Sequence, residues 1–497
     1  MQLHLFGEEP AGQRPPRKES LPPLERFEAA LLYGAIGDAL GWPTESLRPA
    51  KHRYPFQLPL KTFVSWKKRV GGKWWGYEDS ISPGEYSDDT QLMLAVARSI
   101  DERGHFVPDY FAYVELPLWL QYERGGGKTV KTAARKLLAR RAGWLNNFYR
   151  QGDLDYRQAG ANGAAMRNLP IALAHVHDTT ALIRDSFYNA IITHGHPRAI
   201  LGTILFGLAV HCSLTLSAPP PPARLIECIL DGLRQIPRVM QDDARLQRWI
   251  YTWDQGLLNK ELRFSQLYRH ALREAVGYLK HIPEFLARDP KDYYAFAGAL
   301  EPATRGSGLA TVCVAIYLFL RYLQHPQQGL TVAVNTFGSD TDTIALFLGS
   351  LLGAFHGLQA IPLDLKSRVQ DQQFLLTIAR QLYAIAAGTL DQPEPGEQIG
   401  DRRSFYFSIL SWEVAFHEMF QQAYQDGDPL IHPALGLGTI EQQEEQPLQR
   451  EGYVARLIRV QFKCGQTCVF HSRVKENGSP SESLAEEVMR ALEEQNR

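Results

Sequence analysis

Apolar residues recur at helical spacing along most of this chain, and at alternate positions near its end. Ile344, Leu348, Leu351, Leu352 and Phe355 predict a helix over 344–355. Gly349, Gly353 and Gly357 repeat every four residues beside that stripe, which lets a second helix approach closely. A matching candidate starts at Leu24. Phe27, Ala30, Leu31, Ile36 and Leu40 keep the period, Gly34, Gly37 and Gly41 stud it, and Pro43 is expected to end it. Leu92, Met93, Leu94, Val96 and Ala97 predict a third helix and Leu309 to Leu320 a fourth; Phe264 to Leu279 and Pro283 to Leu286 read as two more. Phe405, Ile409, Trp412, Phe416 and Phe420 form a helical packing stripe. After it the period falls to two. Leu457, Arg459, Val460 and Phe462, then Thr467, Val469 and Phe470, predict strands, with Gly465-Gln466 as the turn and Cys464 and Cys468 read as strand residues.

The polar residues at two helix mouths carry the chemistry. Gly338-Ser339-Asp340-Thr341-Asp342-Thr343 feeds the helix at 344, and Ser87-Asp88-Asp89-Thr90 feeds the one at 92. One Asp or Thr suffices as an N-cap. Paired carboxylates among hydroxyls exceed that need, and oxygen-only ligand sets suit hard divalent ions such as Mg²⁺, Mn²⁺ or Ca²⁺. If the two turns face each other, four carboxylates converge, and two such ions would neutralise them. Asp38, inside an apolar run, needs a partner if buried. Glu45, just past Pro43, is expected on a loop able to reach a cleft.

Three other stretches are candidates for binding. Gly125-Gly126-Gly127-Lys128-Thr129 invites a nucleotide phosphate-loop reading, but that motif requires Gly where Tyr122 stands, and no strand-like run precedes it. A flexible loop against a ligand, or a plain helix-opening turn, fits better. Asn162-Gly163-Ala164-Ala165 leaves backbone N–H groups accessible, and a helix starting there would favour a diphosphate; a tight interhelical turn is the plainer alternative. His194 and His196 flank Gly195, and by themselves read as structural.

Length and charge narrow the picture. At 497 residues the chain can bury a large core and more than one domain. A net charge of −1 offers no global basic excess for bulk nucleic-acid binding. Five cysteines, sparse and odd in number, favour a reducing compartment over a disulfide scaffold. The runs at 309–320 and 344–355 fall short of the ~20 residues of a spanning helix. With no charged-then-apolar leader pattern, a cytoplasmic location without a membrane partner is expected. The expected division is a tail over 1–23, a helical domain over 24–395, a helical connector over 396–428, a small β module over 429–476, and a C-terminal helix over 477–497, opened by the capping pattern Ser483 to Glu486.

Taken in order, Gly37-Asp38-Ala39-Leu40-Gly41 with Pro43 and Glu45, then Ser87 to Thr90, then Gly338 to Thr343, resemble the motifs of the ADP-ribosylglycohydrolase family. These are all-helical, dinuclear-metal hydrolases that include the dinitrogenase-reductase-activating enzymes. Gly125 to Thr129 resembles the family's glycine loop, Gly160 to Arg167 its phosphate-cradling loop, and Thr193-His194 its Thr-His motif. The resemblance spans 25 to 390. It implies a mainly α fold and cleavage of the bond between C1″ of the distal ribose in ADP-ribose and its acceptor atom. It further implies metal ligands at Ser87, Asp88, Asp89, Asp340, Asp342 and Thr343, holding two divalent ions, Mg²⁺ or Mn²⁺. Substrate contacts are implied at Gly126, Gly127, Asn162, Gly163 and His194, with catalytic roles for Glu45 and Asp89. Ser87 stands where the family more often has Thr, and the hydroxyl is kept. Whether Glu45 acts as acid, base or gate stays open, as does the acceptor.

The stretch His432 to Ile440 is similar to the small Tudor-like, SH3-type β-barrels at the C-terminal ends of some DNA helicases. That likeness implies a barrel with a protein or nucleic-acid partner. Two rival readings follow: a non-cleaving ADP-ribose reader, or a protein whose main role is recruitment through this barrel.

Overall fold

Two glycine-striped helices meet at the centre of the computed structural model. They are α1 (Leu24–Glu45) and a later helix, α5 (Thr341–His356). A Cβ added at Gly37 would collide with the Ala345 carbonyl, and one at Gly41 with the backbone of Asp342. Gly349 and Gly353 of α5 meet the carbonyls of Tyr33 and Ala29 in the same way. The stripes therefore let two backbones touch. Every residue of α1 from Phe27 to Thr44 is buried, so the helix is enclosed on all sides. Around this pair pack α2 (Asp88–Arg98), α3 (Pro197–Thr215) and α4 (Gly308–Arg321), all drawn into one core.

The structure describes residues 21–45, 47, 56–139, 142–216, 219, 221–257, 262–390, 412, 416, 419–420 and 425–476. Most of the expected N-terminal tail, Phe405 and Ile409 of the connector stripe, and the closing helix with Ser483 and Glu486 lie outside the described residues.

Several expected boundaries move. α1 runs through Pro43 to Glu45, and a single helix covers Phe264–Phe285 with Pro283 inside it. In both, the proline falls in the last turn, where the ladder bond it removes is one of few remaining. In α1, the Thr44 hydroxyl also lies 2.7 Å from the carbonyls of both Gly41 and Val334, tying that turn down. Asn162–Ala164 forms a 3₁₀ turn, and the helix that follows starts at Leu169. Cys464 falls in a turn, while Cys468 is a strand residue. The cysteines, read as favouring a reducing compartment over a disulfide scaffold, include one pair: Cys212 and Cys228 are joined in a disulfide, their Cα atoms 6.2 Å apart. The helix Pro197–Thr215 was not foreseen as a long apolar run. Its 19 residues meet the length and composition of a membrane span, and 83% of it is buried inside the helical body.

The C-terminal module is a four-stranded antiparallel sheet in sequence order, β3 (Pro429–His432), β4 (Gly436–Pro447), β5 (Tyr453–Phe462) and β6 (Thr467–Lys475). A register shift between Ile440 and Gln442 bends β4. An unforeseen hairpin, β1 (Trp66–Val70) with β2 (Tyr77–Ile81), lies against this sheet. Glu78 N–H donates to Gln446 at 3.0 Å, and Gln446 donates back to the Glu78 carbonyl at 2.6 Å.

The other side of the sheet is continuous with the helical core. Phe470 lies 5.8 Å from the Tyr122 ring and 6.1 Å from Trp412. Polar contacts follow the same seam. Arg98 donates to Gln466 at 2.7 Å, Thr467 donates to Asp371 through N–H and hydroxyl at 2.9 and 2.7 Å, and Arg459 pairs with Glu85.

Candidate active site

Because α1 and α5 touch backbone to backbone, the last turn of one lies beside the first turn of the other. The Thr44 and Thr341 hydroxyls lie 3.0 Å apart, and Thr341 donates to the Gly41 carbonyl at 2.9 Å. This juxtaposition brings Glu45, Asp340 and Asp342 together, with one carboxylate oxygen of each within 4.8 Å of the others.

The second acidic turn is pinned against the first by Asp38. This fully buried carboxylate accepts from Ser87 N–H at 3.1 Å, Thr90 N–H at 3.1 Å and the Thr90 hydroxyl at 2.6 Å. Asp38 thus finds the partners a buried charge requires, and in doing so fixes the start of α2. Ser87 is the N-cap of α2, its hydroxyl accepting from Asp89 N–H at 3.2 Å. Across the gap, Thr343 donates to Asp89 at 2.7 Å. The two turns do face each other.

The carboxylates crowd one another. Burial, and then the charges of Glu45, Asp340 and Asp89, push the Asp342 carboxyl well above its ordinary value. Burial, and then Asp38, Asp88 and Asp340, do the same to Asp89. Burial followed by Glu123 raises Asp88. A hard divalent cation fits such a place on chemistry alone, because the donors are all oxygens and their mutual repulsion is otherwise unrelieved.

Opposite the carboxylates lies the loop 160–167. Its backbone is held to the start of α4: Asn162 N–H donates to the Gly306 carbonyl at 2.9 Å and Gly308 N–H to the Gly160 carbonyl at 3.0 Å. The Asn162 side chain donates to Asp340 at 2.9 Å, linking loop and acidic cluster directly. Gly163 is pressed against the imidazole of His194, where a Cβ would lie 3.0 Å from Cε1. The Nδ1 of His194 is 2.7 Å from the Thr193 hydroxyl, which itself accepts from Arg167 at 2.9 Å. With the Thr193 hydrogen directed at Nδ1, the ring hydrogen stands on Nε2, which is buried without a partner among the described residues. The Ser307 hydroxyl, where α4 begins, is orphaned likewise. Two buried polar atoms without partners beside one loop point to a ligand there.

The electrostatics agree. Burial, and then Arg167, lower the His194 pKa to about 3, so the ring is neutral at ordinary pH. Arg167 is fully buried and bonds only to neutral groups, the Asn189 side chain and carbonyl, the Gly163 carbonyl and the Thr193 hydroxyl. A guanidinium with no carboxylate beside it favours an anion nearby.

The expected residues are thus partly gathered. Asn162, Gly163 and His194 share one cradle, linked to Asp340. The metal-ligand set is regrouped: Glu45, expected on a loop, ends α1 and joins Asp340 and Asp342, while Asp88, Asp89 and Ser87 line the facing turn. The glycine loop borders the same cleft. Asp88 N–H donates to the Arg124 carbonyl at 2.9 Å, and a Cβ at Gly125 would lie 2.8 Å from the Asp88 carboxylate. Gly126 N–H donates to Glu123 at 2.9 Å, and Gly127 caps the following helix with open space beside its Cα. Ser307 and Lys68, whose ammonium lies 3.9 Å from Glu45, were missed. For Lys68 no local signal existed.

A model of the ADP-ribosylglycohydrolase family matches residues 19–391. An uncharacterized protein of Archaeoglobus fulgidus is 26% identical over 367 residues, covering 73% of this chain and 97% of its own. The ADP-ribosylhydrolase ARH3 of Danio rerio is 27% identical over 385 residues, 72% of this chain and 90% of that protein. The ADP-ribosyl-[dinitrogen reductase] glycohydrolase of Rhodospirillum rubrum is 31% identical over 189 residues, 38% of this chain and 57% of that one. A solved structure described as an ADP-ribosylglycohydrolase-related protein complex overlays on 73% of this chain and 98% of its own, at 20% identity and a TM-score of 0.46.

Proposed function

The chain belongs to the ADP-ribosylglycohydrolase family and is a glycosyl hydrolase, and on that premise we propose that it removes ADP-ribose from an acceptor with the help of two divalent ions, Mg²⁺ or Mn²⁺. What supports this reading most is the bond from Asn162 to Asp340, which ties an anion cradle to a carboxylate cluster. The diphosphate of ADP-ribose rests on the loop 160–167, where Gly163 offers its backbone N–H and His194 Nε2–H donates, while the Asn162 N–H stays bonded to the Gly306 carbonyl. Arg167 supplies positive charge from behind. The distal ribose then lies over Glu45, Asp340, Asp342, Asp89 and Thr343.

Asp340, Asp342, Thr343, Ser87, Asp88 and Asp89 would hold the ions, which would supply Lewis-acid polarisation of a water and of the ribose hydroxyls. In the reaction the C1″–acceptor bond breaks, and its electron pair leaves with the acceptor atom, which takes a proton. A water oxygen bonds to C1″ and gives up a proton. The oxocarbenium-like transition state gains from the surrounding carboxylates. Glu45, at the outer edge of the cluster with 36% of its side chain exposed, is the group placed to move a proton at the acceptor atom, and Lys68 orients it.

The test is release of ADP-ribose from a panel of arginine-linked and serine-linked peptides and ADP-ribosylated oligonucleotides, with and without EDTA. Release that EDTA abolishes and Mg²⁺ or Mn²⁺ restores is the expected result. No release from any conjugate, with ADP-ribose still bound, would leave the chain a reader instead.

A further inference from the structure

The hairpin and the C-terminal sheet do more than rest on each other. Between them and the glycine loop lies a small pocket of about 110 Å³, partly open to solvent, lined by Lys68, Arg69, Tyr77, Arg124, Lys131 and His471. It adjoins the carboxylates. Lys68 reaches from the pocket to within 3.9 Å of Glu45, and its ammonium stands 5.0 Å above the ring of Trp42. Gly125, another lining residue, backs directly onto Asp88. Whatever is attached at the reacting ribose carbon has this pocket as a neighbour.

The two acids that also line the pocket are already paired. Asp79 is bound by Arg124 at 2.8 Å, and Glu123 by Lys131 at 2.8 Å. Lys68 has only Glu45 at long range, and Arg69 has no carboxylate within 4.0 Å among the described residues. Arg124 is also held by Glu85 at 2.7 Å, so the positive charge left over in the pocket rests on Lys68 and Arg69. Beyond it the same face alternates cations with rings. Arg473 lies 5.8 Å from the Trp75 ring, Arg450 stacks over both Trp75 and Tyr453 at 4.5 and 4.9 Å, and Lys73 is 4.8 Å from Trp74, which is 59% exposed.

On the reading of the chain as an ADP-ribose hydrolase, we propose that the hairpin and C-terminal sheet form the acceptor subsite, and that the acceptor it takes is a single-stranded nucleic acid. Cations spaced along this face answer the phosphates of a strand, and the exposed ring of Trp74 answers a base. An acidic peptide would use the cations and leave the rings idle. The sheet is then a wall of the substrate cleft, with Leu457 and Val469 as its apolar floor.

The experiment uses the full chain and two exposed cations, Arg69→Glu and Arg473→Glu, with thermal melts to check that both fold. Binding of a labelled oligothymidylate is followed by fluorescence anisotropy at low and moderate salt. Each variant should weaken it about tenfold and flatten the salt dependence of log K by about 0.7 for each phosphate no longer neutralised. The ratio of kcat/KM on an ADP-ribosylated oligonucleotide to that on an ADP-ribosylated peptide should fall about as much. Oligothymidylate binding that neither variant alters, equal losses on both conjugates, or an acidic peptide that competes as well as the oligonucleotide would each overturn the proposal. If no conjugate is cleaved by the unaltered chain, the hydrolase reading fails by itself, and the anisotropy arm still decides whether this face binds a strand.

Discussion

Glu45 ends a buried helix with Lys68 on its solvent side and Asp340 and Asp342 on the other. If it moves the proton at the acceptor atom, Glu45→Gln keeps ADP-ribose binding and lowers the single-turnover rate by about 10²–10⁴-fold. An unaltered rate would assign that step to another group. The crowded carboxylates carry a second prediction, about pH. Asp88, Asp89 and Asp342 hold their protons more tightly in the folded chain than at the ordinary value of 3.8. As pH rises past about 4, the unfolded chain gives up these protons first, so metal-free stability falls from there up through the raised folded values. Divalent ions bind the deprotonated form and reverse that loss. The rise in Tm produced by Mg²⁺ should therefore grow as pH rises above about 4. A rise of constant size would mean that these carboxylates do not hold the ion. The acidic turns were visible beforehand as chemistry, since paired acids at a helix mouth exceed what capping needs. The grouping of Glu45 with Asp340 and Asp342 was not, because α1 and α5 lie about three hundred residues apart.

At the scale of the element, the α1–α5 contact decides whether the site exists. Gly37→Val would drive a side chain into the Ala345 carbonyl and is expected to cost about 1–3 kcal/mol or more. Its effect on kcat should exceed what lost stability explains, since the same shift moves Asp342 from Glu45. Gly277→Ala is the contrasting case. Gly277 lies inside the helix Phe264–Phe285 with nothing within 4 Å of an added Cβ, so the change should stabilise by about 0.5–1 kcal/mol. Denaturant titration of the two variants checks both; a tolerated Gly37→Val would show the helices free to separate. The helices themselves were legible because their apolar stripes span many turns. Pro43 and Pro283 misled because a proline in the last turn removes too little to end a helix that packing holds. The β1–β2 hairpin was invisible for a different reason. Lys67, Lys68 and Arg69 obscure its alternation, and only the sheet, distant in sequence, gives its buried face something to cover.

For the molecule as a whole, the question is whether the C-terminal sheet stands alone. Ending the chain at residue 424 would bare the Tyr122 ring, leave Glu85 without Arg459, and take Gln466 from Arg98 and Thr467 from Asp371. These seams predict a single cooperative unfolding of the full chain, with tryptophan fluorescence and far-ultraviolet dichroism changing together, and a lower Tm for the truncated one. Two separate transitions, with full turnover kept by the truncated chain, would restore the sheet as an independent module.

By itself, the sequence determined the helical character of 24–40, 92–97 and 344–355, the strand character of 457–462 and 467–470, and that acids and hydroxyls crowd two helix mouths. Each of these rests on periods and spacings within a few turns of chain. Only the tertiary structure decided that Asp38 pins the second turn to the first, that Glu45 joins the cluster, that Cys212 meets Cys228, and that a cationic pocket backed by the C-terminal sheet opens beside Asp88. The reason is range. Periodicity reports which face of an element is buried, whereas a site depends on which distant face it is buried against.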